Sequence, residues 1–300
     1  MDELTERFEE HRPRLRAVAY RMLGSVAEAE DAVQEAWLRL HRADTDEVEN
    51  LGAWLTTVVA RLCLNVLRSR EQRREEFGVH LPDPVVGYDD GTDPEHEAVL
   101  ADSVGLAMLV VLDTLTPAER VAFVLHDLFA VPFDQVAALI EKSVAATRQL
   151  ASRARRRVQG QVPTPDPDLA RQRDVVNAFF AAARDGDLDA LVAVLDPDVV
   201  LRSDAGAASR FTVTYTGART VAGQAVTFGR LSPFARPALV NGAAGVVVVA
   251  NGRPLSVMAF TVSGGRIVAI DVLADSERLQ DVLVLPHERE GDAPAVPLES

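Results

Sequence analysis

The chain has 300 residues, of which 48% are hydrophobic and 25% charged, and its formal net charge is −14 at pH 7. That length allows two or three domains, each large enough for its own hydrophobic core. A protein this acidic does not coat nucleic acid or anionic membrane indiscriminately, so any contact with nucleic acid must be local. The single Cys63 excludes an internal disulfide framework and a cysteine-based zinc site.

Neither end of the chain nor its apolar runs indicates a membrane segment. The N-terminus is charged from Asp2 onward, unlike a signal peptide. The longest apolar runs, such as Ala244–Ala250, are far too short to span a bilayer. Cys63 lies in the apolar run TVVARLCLNVL, which predicts a buried side chain. We therefore expect a cytoplasmic protein with no membrane partner and no bound cofactor or metal.

Residues 1–74 have the pattern of a helical domain, with apolar residues at 3.6-residue spacing in VAEAEDAVQEAWLRLH and LGAWLTTVVARLCLNVLRSR. The first of these two helices has a predicted core stripe formed by Val26, Val33, Trp37 and Leu40. A different, mixed face at i, i+3, i+4, i+7 spacing carries Asp31, Gln34, Glu35 and Leu38. Taken alone, that face has the composition of an ordinary solvated helix surface.

The second of these helices is apolar on one side and displays polar residues on the other, namely Arg61, Asn65, Arg68 and Arg70. Asn50 lies just before it and Trp54 in its first turn. For Trp54, packing in a core and stacking on a nucleic-acid base are equally compatible with the sequence. Residues 75–98 then form an acidic linker rich in Pro and Gly, with no Lys or Arg.

A second helical block, residues 99–158, contains TPAE at Thr116–Glu119, which predicts a helix start with a Thr cap and Pro at the first position. The short stretch FDQVAALI predicts another helix, followed by the tight connection Glu141-Lys142. Ser143 then caps a longer helix. Short helix, turn and longer basic helix together indicate a helix-turn-helix motif.

The basic helix of this motif concentrates positive charge in an acidic protein, because 142–157 contains six Lys or Arg residues and no acid. Thr147, Leu150, Ala154 and Val158 share one stripe that should face the domain core. Small residues off that stripe would let the helix enter a DNA major groove. The residues that we predict to contact DNA are Ser143, Ala146, Arg148, Gln149, Ser152, Arg153 and Arg156. A merely solvated basic face is the competing interpretation.

The sequence pattern changes after a Pro-rich linker at 159–168. Two helical stretches and then short β-branched runs separated by turns predict an α+β domain with a mostly antiparallel sheet over 169–285. The tail, 286–300, has the composition of a disordered segment. Between Leu169 and Leu285 there is no His, no Cys and one Tyr, Tyr215, which disfavours proton-transfer catalysis.

The two helical blocks resemble a known family. GSVAEAEDAVQEAWLRL followed by AWLTTVVARLCLNVLRSR resembles the second conserved domain of extracytoplasmic-function (ECF) RNA polymerase sigma factors. LTPAERVAFVLHDLFAVPFDQVAALIEKSVAATRQLASRARRRV resembles their fourth. The resemblance implies a non-enzymatic protein that joins core RNA polymerase and directs promoter-specific initiation of transcription. It covers about half of the chain, in two motifs with the family's order and spacing.

The same resemblance implies roles for individual residues. Asp31, Gln34, Glu35 and Leu38 would dock the clamp helices of the polymerase β′ subunit, and the second helical domain would meet the β flap. The melted −10 promoter element would be held by Asn50, Trp54, Arg61, Asn65 and Arg68. The basic helix that begins at Ser143 would read the −35 element as duplex. The sequence departs from the family at Asn65, where an acid is common, and at Glu141-Lys142, where a Gly is usual.

The C-terminal domain resembles SnoaL-like cone domains of the ketosteroid-isomerase type, most clearly in VVNAFFAAARDGDLDALVAVLDPDVVLRSD. The combination resembles a SigJ-like subgroup of ECF factors, in which this domain regulates the sigma region in cis by intramolecular contact. Degenerate matches to that subgroup are HLPDP at 80–84, SDAGAAS at 203–209 and ADSERL at 274–279. The cone would then act by docking or by sensing a ligand; Asp204 and Asp271 are its candidate cavity carboxylates, although surface positions are usual for such residues.

Two other classes of function remain open from the residues. One is a stand-alone DNA-binding regulator whose cone domain dimerises or senses a ligand, and the other is an enzyme with a DNA-binding appendage. The first helical block distinguishes the regulator from a sigma factor, because a simple regulator needs neither a polymerase-docking face nor a strand-melting helix. The scarcity of acid–base side chains in the cone disfavours the enzyme.

Overall fold

The structure, a computed structural model, describes residues 3–43, 50–73, 81–87, 105–206 and 213–283. Most of the acidic linker and the whole predicted tail, 286–300, lie outside these residues. Two helical domains are followed by an α+β domain, in the order that the sequence predicts. The first helical domain consists of α1 (Glu3–Leu23), α2 (Val26–Leu40) and α3 (Leu51–Arg73).

Helix α2 is capped by Ser25, whose side chain accepts a hydrogen bond from the Glu28 N–H. Gly24 makes the turn before it with φ +68°, a conformation that glycine adopts at little cost. Cys63 is buried in α3, and burial raises the pKa of its thiol to about 12. By length and composition Leu51–Gln72 could cross a membrane, contrary to the expectation from apolar runs, but α3 packs against α1 and α2 as a core helix.

The second helical domain has the predicted helix-turn-helix. Its elements are α4 (Leu106–Asp113), α5 (Pro117–Phe123) with a π-helical turn at Val124–Leu128, α6 (Phe133–Ile140) and α7 (Val144–Gln161). Both hydrogen bonds of the predicted capping box between Thr116 and Glu119 are present. The Ser143 hydroxyl caps α7 by accepting from the Ala146 N–H at 3.2 Å. Of the predicted core stripe Thr147, Ala154 and Val158 are buried, whereas Leu150 is half-buried and Ala151 replaces it in the core.

The α+β domain is a curved sheet of seven strands in the order β1-β4-β5-β6-β7-β2-β3. Only the β2–β7 pair is parallel among the described strands, so the prediction of a mostly antiparallel sheet is confirmed. The strands are β1 (Val86–Gly87), β2 (Leu195–Asp204), β3 (Val213–Thr216), β4 (Ala235–Val240), β5 (Ala243–Ala250), β6 (Arg253–Ser263) and β7 (Arg266–Leu273). Its helices are α8 (Leu169–Asp185), α9 (Leu188–Val194), α10 (Ala218–Phe228) and α11 (Ser276–Val282). The sequence analysis did not predict β1, α10 or α11.

The central strand β5 is buried on both faces, and this determines how the domains are arranged. In β5, Val246 and Val248 point into the core beneath α8 and α9, whereas Val247 and Val249 point the other way. Those outer side chains belong to one continuous hydrophobic cluster that also contains the cores of both helical domains. The unbroken apolar run of β5 follows from this double burial, because an alternating pattern would leave one face polar. One core therefore connects all three domains.

Substitution of Glu141 tests whether the turn of the helix-turn-helix carries backbone strain. The Glu141 φ of +58° places an L residue in the left-handed region, which costs about 1–2 kcal/mol. We expect Glu141→Gly to raise the free energy of unfolding by about 0.5–1 kcal/mol, because glycine relieves that cost but loses more chain entropy on folding. Urea denaturation measures the change, with Glu141→Ala as the control that keeps a side chain and should gain nothing from the turn. Equal stability of the Gly and Ala variants would contradict the account.

Candidate nucleic-acid interface and domain junction

Helix α7 presents a basic face to solvent. Arg148, Gln149, Arg153 and Arg156 are exposed, and Ala146 and Ser152 are half-buried beside them. The Arg148 guanidinium carbon lies 5.6 Å from the centroid of the Phe133 ring, a cation–π contact that orients this side chain from the preceding helix. The predicted DNA-contacting residues thus share the outer side of the helix, opposite Thr147, Ala151 and Ala154.

Two other arginines of the same basic run bond within their own domain while staying partly exposed. The Arg155 Nε donates to Asp127 Oδ1 at 2.7 Å. The Arg157 Nη1 donates to the Thr114 carbonyl oxygen at 3.2 Å. Their side chains remain 43% and 41% exposed, so both tie α7 to its domain and still add positive charge to its surface.

The predicted −10 residues also lie at the surface, along α3. Arg61, Asn65 and Arg68 are exposed, whereas Trp54 is half-buried and packs against the core, which favours the packing interpretation of that residue. Asn50 caps α3, since its Oδ1 accepts from the Ala53 N–H at 3.0 Å. Arg70 bonds within the first helical domain. Its Nη1 donates to the Leu23 carbonyl oxygen at 2.7 Å, and its Nη2 pairs with the Glu28 carboxylate.

The mixed face of α2 is present as predicted. Asp31, Gln34 and Leu38 are exposed, and the Leu38 side chain is 44% accessible. Glu35 is half-buried and forms an i, i+4 ion pair with Arg39 at 2.9 Å. The face thus combines one accessible apolar side chain with carboxylate and amide groups.

The two helical domains pack directly against each other. Arg14 Nη2 donates to the Phe129 carbonyl oxygen at 3.0 Å, and the Arg21 guanidinium lies over the Phe129 ring. Arg120, only 2% exposed, donates to Asp113 Oδ1 at 2.7 Å and to the Arg21 carbonyl oxygen. A cleft of about 400 Å³ separates Asn50 and the start of α3 from α6. One end of the predicted −10 surface therefore faces the second helical domain.

A buried segment of the acidic linker, Leu81–Gly87, lies between the first helical domain and the cone domain. We call it the junction segment. Its β1 portion extends the cone sheet, with Val86 opposite Val240. Asn241 binds both main-chain polar groups of Val85. Its side-chain Oδ1 accepts from the Val85 N–H at 3.0 Å, and its main-chain N–H donates to the Val85 carbonyl oxygen at 2.8 Å.

Asp83 connects the junction segment to the first helical domain. The Asp83 N–H donates to the Gly24 carbonyl oxygen at 2.7 Å, and its Oδ2 accepts from the Val26 N–H at 3.2 Å, at the start of α2. The Tyr20 hydroxyl donates to the Asp83 carbonyl oxygen at 2.6 Å and accepts from Asn241 Nδ2 at 3.0 Å. Burial raises the pKa of the Tyr20 phenol well above its usual value, so the hydroxyl stays protonated as the donor.

Arg278 of α11 holds the other side of the junction. Its Nε donates to Asp83 Oδ1 at 2.9 Å, its Nη1 to Asp204 Oδ2 at 2.9 Å and its Nη2 to the Leu81 carbonyl oxygen at 2.6 Å. Asp204 Oδ2 also accepts from the Leu81 N–H at 2.9 Å. A single guanidinium thus joins the end of β2, α11 and the junction segment.

The second linker is also attached to the cone. Both oxygens of Asp166 accept from consecutive N–H groups in the β6–β7 turn, Gly265 at 2.8 Å and Gly264 at 2.9 Å. These two bonds to the charged form hold the pKa of the Asp166 carboxyl below its ordinary value. The Pro-rich passage from α7 to α8 is therefore fixed against the sheet.

Aromatic rings occupy part of the interior of the cone. Phe179, Phe180 and Phe260 form a cluster with ring centroids 5.6–5.9 Å apart, and a cavity of about 60 Å³ remains nearby at Arg173 and Asn177. Asp271 is buried, not at a surface turn, and pairs with Arg202 at 2.6 Å. Burial raises the pKa of the Asp271 carboxyl, and Arg202 opposes that shift. Asp204, also buried, belongs to the domain junction, so the expectation of surface positions for these two acids was wrong.

The residues that sequence analysis missed are those of the junction: Tyr20, Gly24, Asp83, Asn241 and Arg278. Their partners are 57 to 221 positions away along the chain, so no local pattern reveals the pairs. One local signal was available in LPDP, where prolines at 82 and 84 favour an extended main chain. The matches at HLPDP, SDAGAAS and ADSERL meet at this junction through Asp83, Asp204 and Arg278; His80 and 207–209 lie outside the described residues.

Known proteins resemble the chain in both sequence and fold. Family models for Sigma-70 region 2 and Sigma-70, region 4 match residues 7–74 and 106–158. The probable ECF RNA polymerase sigma factor SigI of Mycobacterium tuberculosis is 36% identical over 290 residues, 93% of this chain and 95% of that protein. The ECF RNA polymerase sigma factor SigJ of the same organism is 52% identical over 200 residues, 66% of this chain and 64% of that protein.

The fold comparison extends over nearly the whole chain. The crystal structure of the M. tuberculosis extracytoplasmic function sigma factor SigJ matches with a TM-score of 0.74 and 39% identity, covering 92% of this chain and 98% of that one. The predicted fold class, two helical sigma domains followed by an α+β SnoaL-like domain, is confirmed. The chain belongs to the family of ECF RNA polymerase sigma factors.

Proposed function

We propose that this sigma factor directs core RNA polymerase to promoters whose −10 and −35 elements it reads, and that its cone domain controls this activity in cis. The observation that carries the cis control is the single hydrophobic core shared by the cone sheet and both sigma domains. The domain boundaries that we propose are a region 2 domain at 1–74, a linker at 75–98, a region 4 domain at 99–158, a second linker at 159–168, the cone at 169–285 and a tail at 286–300.

The outer face of α7 is the proposed −35 reader. Its exposed Arg148, Gln149 and Arg153 suit hydrogen bonding to base edges or phosphates, and the small Ala146 permits close approach to the groove. Arg61, Asn65 and Arg68 on α3 are the proposed contacts to the melted −10 strand, with Asn50 and Trp54 at the end of that surface nearest the second helical domain. Cationic side chains along one helix face suit a single-stranded backbone.

The exposed face of α2 is the proposed contact with the β′ clamp helices. Asp31, Gln34, Glu35 and Leu38 lie together there, and the apolar Leu38 provides a centre that desolvates on docking. We assign the β flap contact to the second helical domain, as the family resemblance implies. The junction segment binds the start of this same helix through Val26, so cone attachment and polymerase docking involve one structural element.

We propose that the cone controls transcription by fixing the distance between the two DNA-reading surfaces, and not by covering either of them. The −10 and −35 elements are about 25 base pairs apart, which is about 85 Å of DNA at about 3.4 Å per base pair. In the structure α3 packs against α5 and α6, and α6 packs against α7. Packed helices are about 8–10 Å apart where they touch, so these contacts hold the two reader helices together in one packed body. Both surfaces are exposed, but they must separate before both elements can be bound.

The cone is proposed to act by docking and not by catalysis. Its interior is packed with aromatic rings in the described residues, and the carboxylates Asp204 and Asp271 are engaged with arginines. Both observations favour a structural role for the acids that sequence analysis considered as cavity residues.

Removing exposed arginines from α7 tests the −35 assignment. We expect Arg148→Ala and Arg153→Ala to weaken binding to −35 duplex by about 1–3 kcal/mol where a base contact is lost, or to reduce the salt slope by about one where a phosphate contact is lost. Fluorescence anisotropy at several salt concentrations measures both effects. Arg155→Ala is the matched control, since Arg155 is paired with Asp127 and should change stability more than affinity. Unchanged affinity and slope in both variants would reject this face.

Reversing the charge of α2 tests the docking face. We expect Asp31→Arg with Glu35→Arg to abolish co-purification with core polymerase, because two new cations would repel a basic partner surface. Circular dichroism should show the fold unchanged, since both residues are at the helix surface. Glu10→Arg on α1 is the control that reverses an exposed charge elsewhere. Recovery of the double variant at the wild-type level would contradict the assignment.

Loosening the junction tests the cis control. Arg278→Ala removes the guanidinium shared by Asp83 and Asp204, and we expect it to lower the urea midpoint and to raise run-off transcription several-fold at limiting sigma concentration. Transcription should rise because the two readers then separate more easily. Arg253→Ala, at the exposed first residue of β6, should leave both quantities unchanged. A folded Arg278→Ala protein that transcribes at or below the wild-type rate would refute control by closure.

A further inference from the structure

The junction segment has the features of a bound peptide. All seven residues from Leu81 to Gly87 are buried, yet they pack mainly against other domains and not against each other. The N–H groups of Leu81, Asp83 and Val85 donate to Asp204, Gly24 and Asn241, respectively. Pro82 and Pro84, which have no N–H, occupy the positions between them. From Leu81 to Val85, every main-chain N–H therefore finds an acceptor in the surrounding cleft.

The two walls of this cleft bind alternate residues. The cone binds the main chain of Leu81 and Val85 at both the N–H and the carbonyl oxygen, through Asp204, Arg278 and Asn241. The first helical domain binds the main chain of Asp83 in the same way, through Gly24 and Tyr20. Addition of an extended segment to a sheet edge is an established mode of peptide recognition, in which main-chain bonds provide affinity.

Side-chain selectivity comes from one position. Asp83 places one carboxylate oxygen on Arg278 and the other on the N–H of Val26 at the start of α2. Charge-assisted bonds of this kind are about twice as strong as neutral ones. None of these contacts depends on the covalent connection between the segment and the rest of the chain.

The segment itself shields polar groups of the cleft from water. With the segment in place, Asp204 and Asn241 are 1% and 3% exposed, and both bind its main chain. If the segment left, both groups would face water and would be open to a second peptide with the same main-chain donors. A cavity of about 760 Å³ borders Leu81, Pro82, Asp83 and Arg278, which leaves space for exchange beside this end of the segment.

We propose that the cleft between the cone and the first helical domain is a peptide-binding site. Its ligand class is an extended peptide with a carboxylate residue between two prolines, as in Leu81–Gly87. A partner protein that presents such a segment displaces the chain's own segment and thereby releases the sigma domains. The site stands on its contacts alone, whereas the release rests on the proposed cis control.

Trans binding to the full-length protein tests the site. The probe is a fluorescein-labelled, amidated peptide LPDPVVG. Because the tethered segment competes at an effective concentration of about millimolar, wild-type protein should bind the probe weakly. Asp83→Asn keeps the shape of the tethered segment but removes its charge, so this variant should bind the probe at least tenfold more tightly. Asp83→Ala is the second such variant and should behave in the same way.

Two matched changes make the result specific. The reference is binding of the charged probe to Asp83→Asn protein. A probe in which Asn replaces the Asp should bind that protein at least tenfold more weakly. The charged probe should likewise bind the double variant Asp83→Asn with Arg278→Ala at least tenfold more weakly. Absence of saturable binding to both Asp83 variants, or equal binding of charged and neutral probes, would overturn the site. If the charged probe binds but leaves run-off transcription unchanged, the site stands and the cis control fails. If Arg278→Ala changes transcription but no probe binds, the cis control stands and the peptide site fails.

Discussion

The buried main chain of Leu81–Gly87 is the constraint on which the arrangement of this protein depends. Buried N–H and carbonyl groups must find partners, and here those partners come from two different domains. Asp83 binds Gly24 and Val26 on one side, and Leu81 and Val85 bind Asp204, Arg278 and Asn241 on the other. Because neither domain satisfies the segment alone, the segment holds the cone against the sigma region in one orientation.

The double-faced sheet extends that constraint to the DNA readers. Val247 and Val249 bury their outer side chains in the core that also contains α3 and the second helical domain. Hydrophobic burial is non-directional, so it adds stability to the closed arrangement while the junction hydrogen bonds give it geometry. The exposed faces of α3 and α7 remain accessible to solvent in this arrangement. Under the proposed cis control, the closed packing and not coverage is what restrains them.

Local rules predicted the parts that depend on local chemistry. The capping box at Thr116–Glu119, the Ser143 cap, the helix-turn-helix and the separate face of α2 all follow from residues within a few positions of each other. The junction could not be predicted, because Tyr20, Asn241 and Arg278 acquire their roles only after distant elements pack. Asp204 and Asp271 were misplaced for the same reason: sequence shows a strand-end carboxylate but not the arginine that permits its burial. The run of valines in β5 did carry a readable signal of burial on both faces.

The most direct test of closure is the distance between the two readers in the free and the transcribing protein. Gln72→Cys on α3 and Gln159→Cys on α7 place spin labels at exposed positions beside the proposed DNA contacts, and the buried Cys63, with its raised pKa, should not react. Pulsed electron paramagnetic resonance should give one short, narrow distance distribution for the free protein. With core polymerase and promoter DNA the distance should lengthen by tens of ångströms, as about 85 Å between the elements requires. An unchanged distribution in a transcribing complex would contradict control by closure.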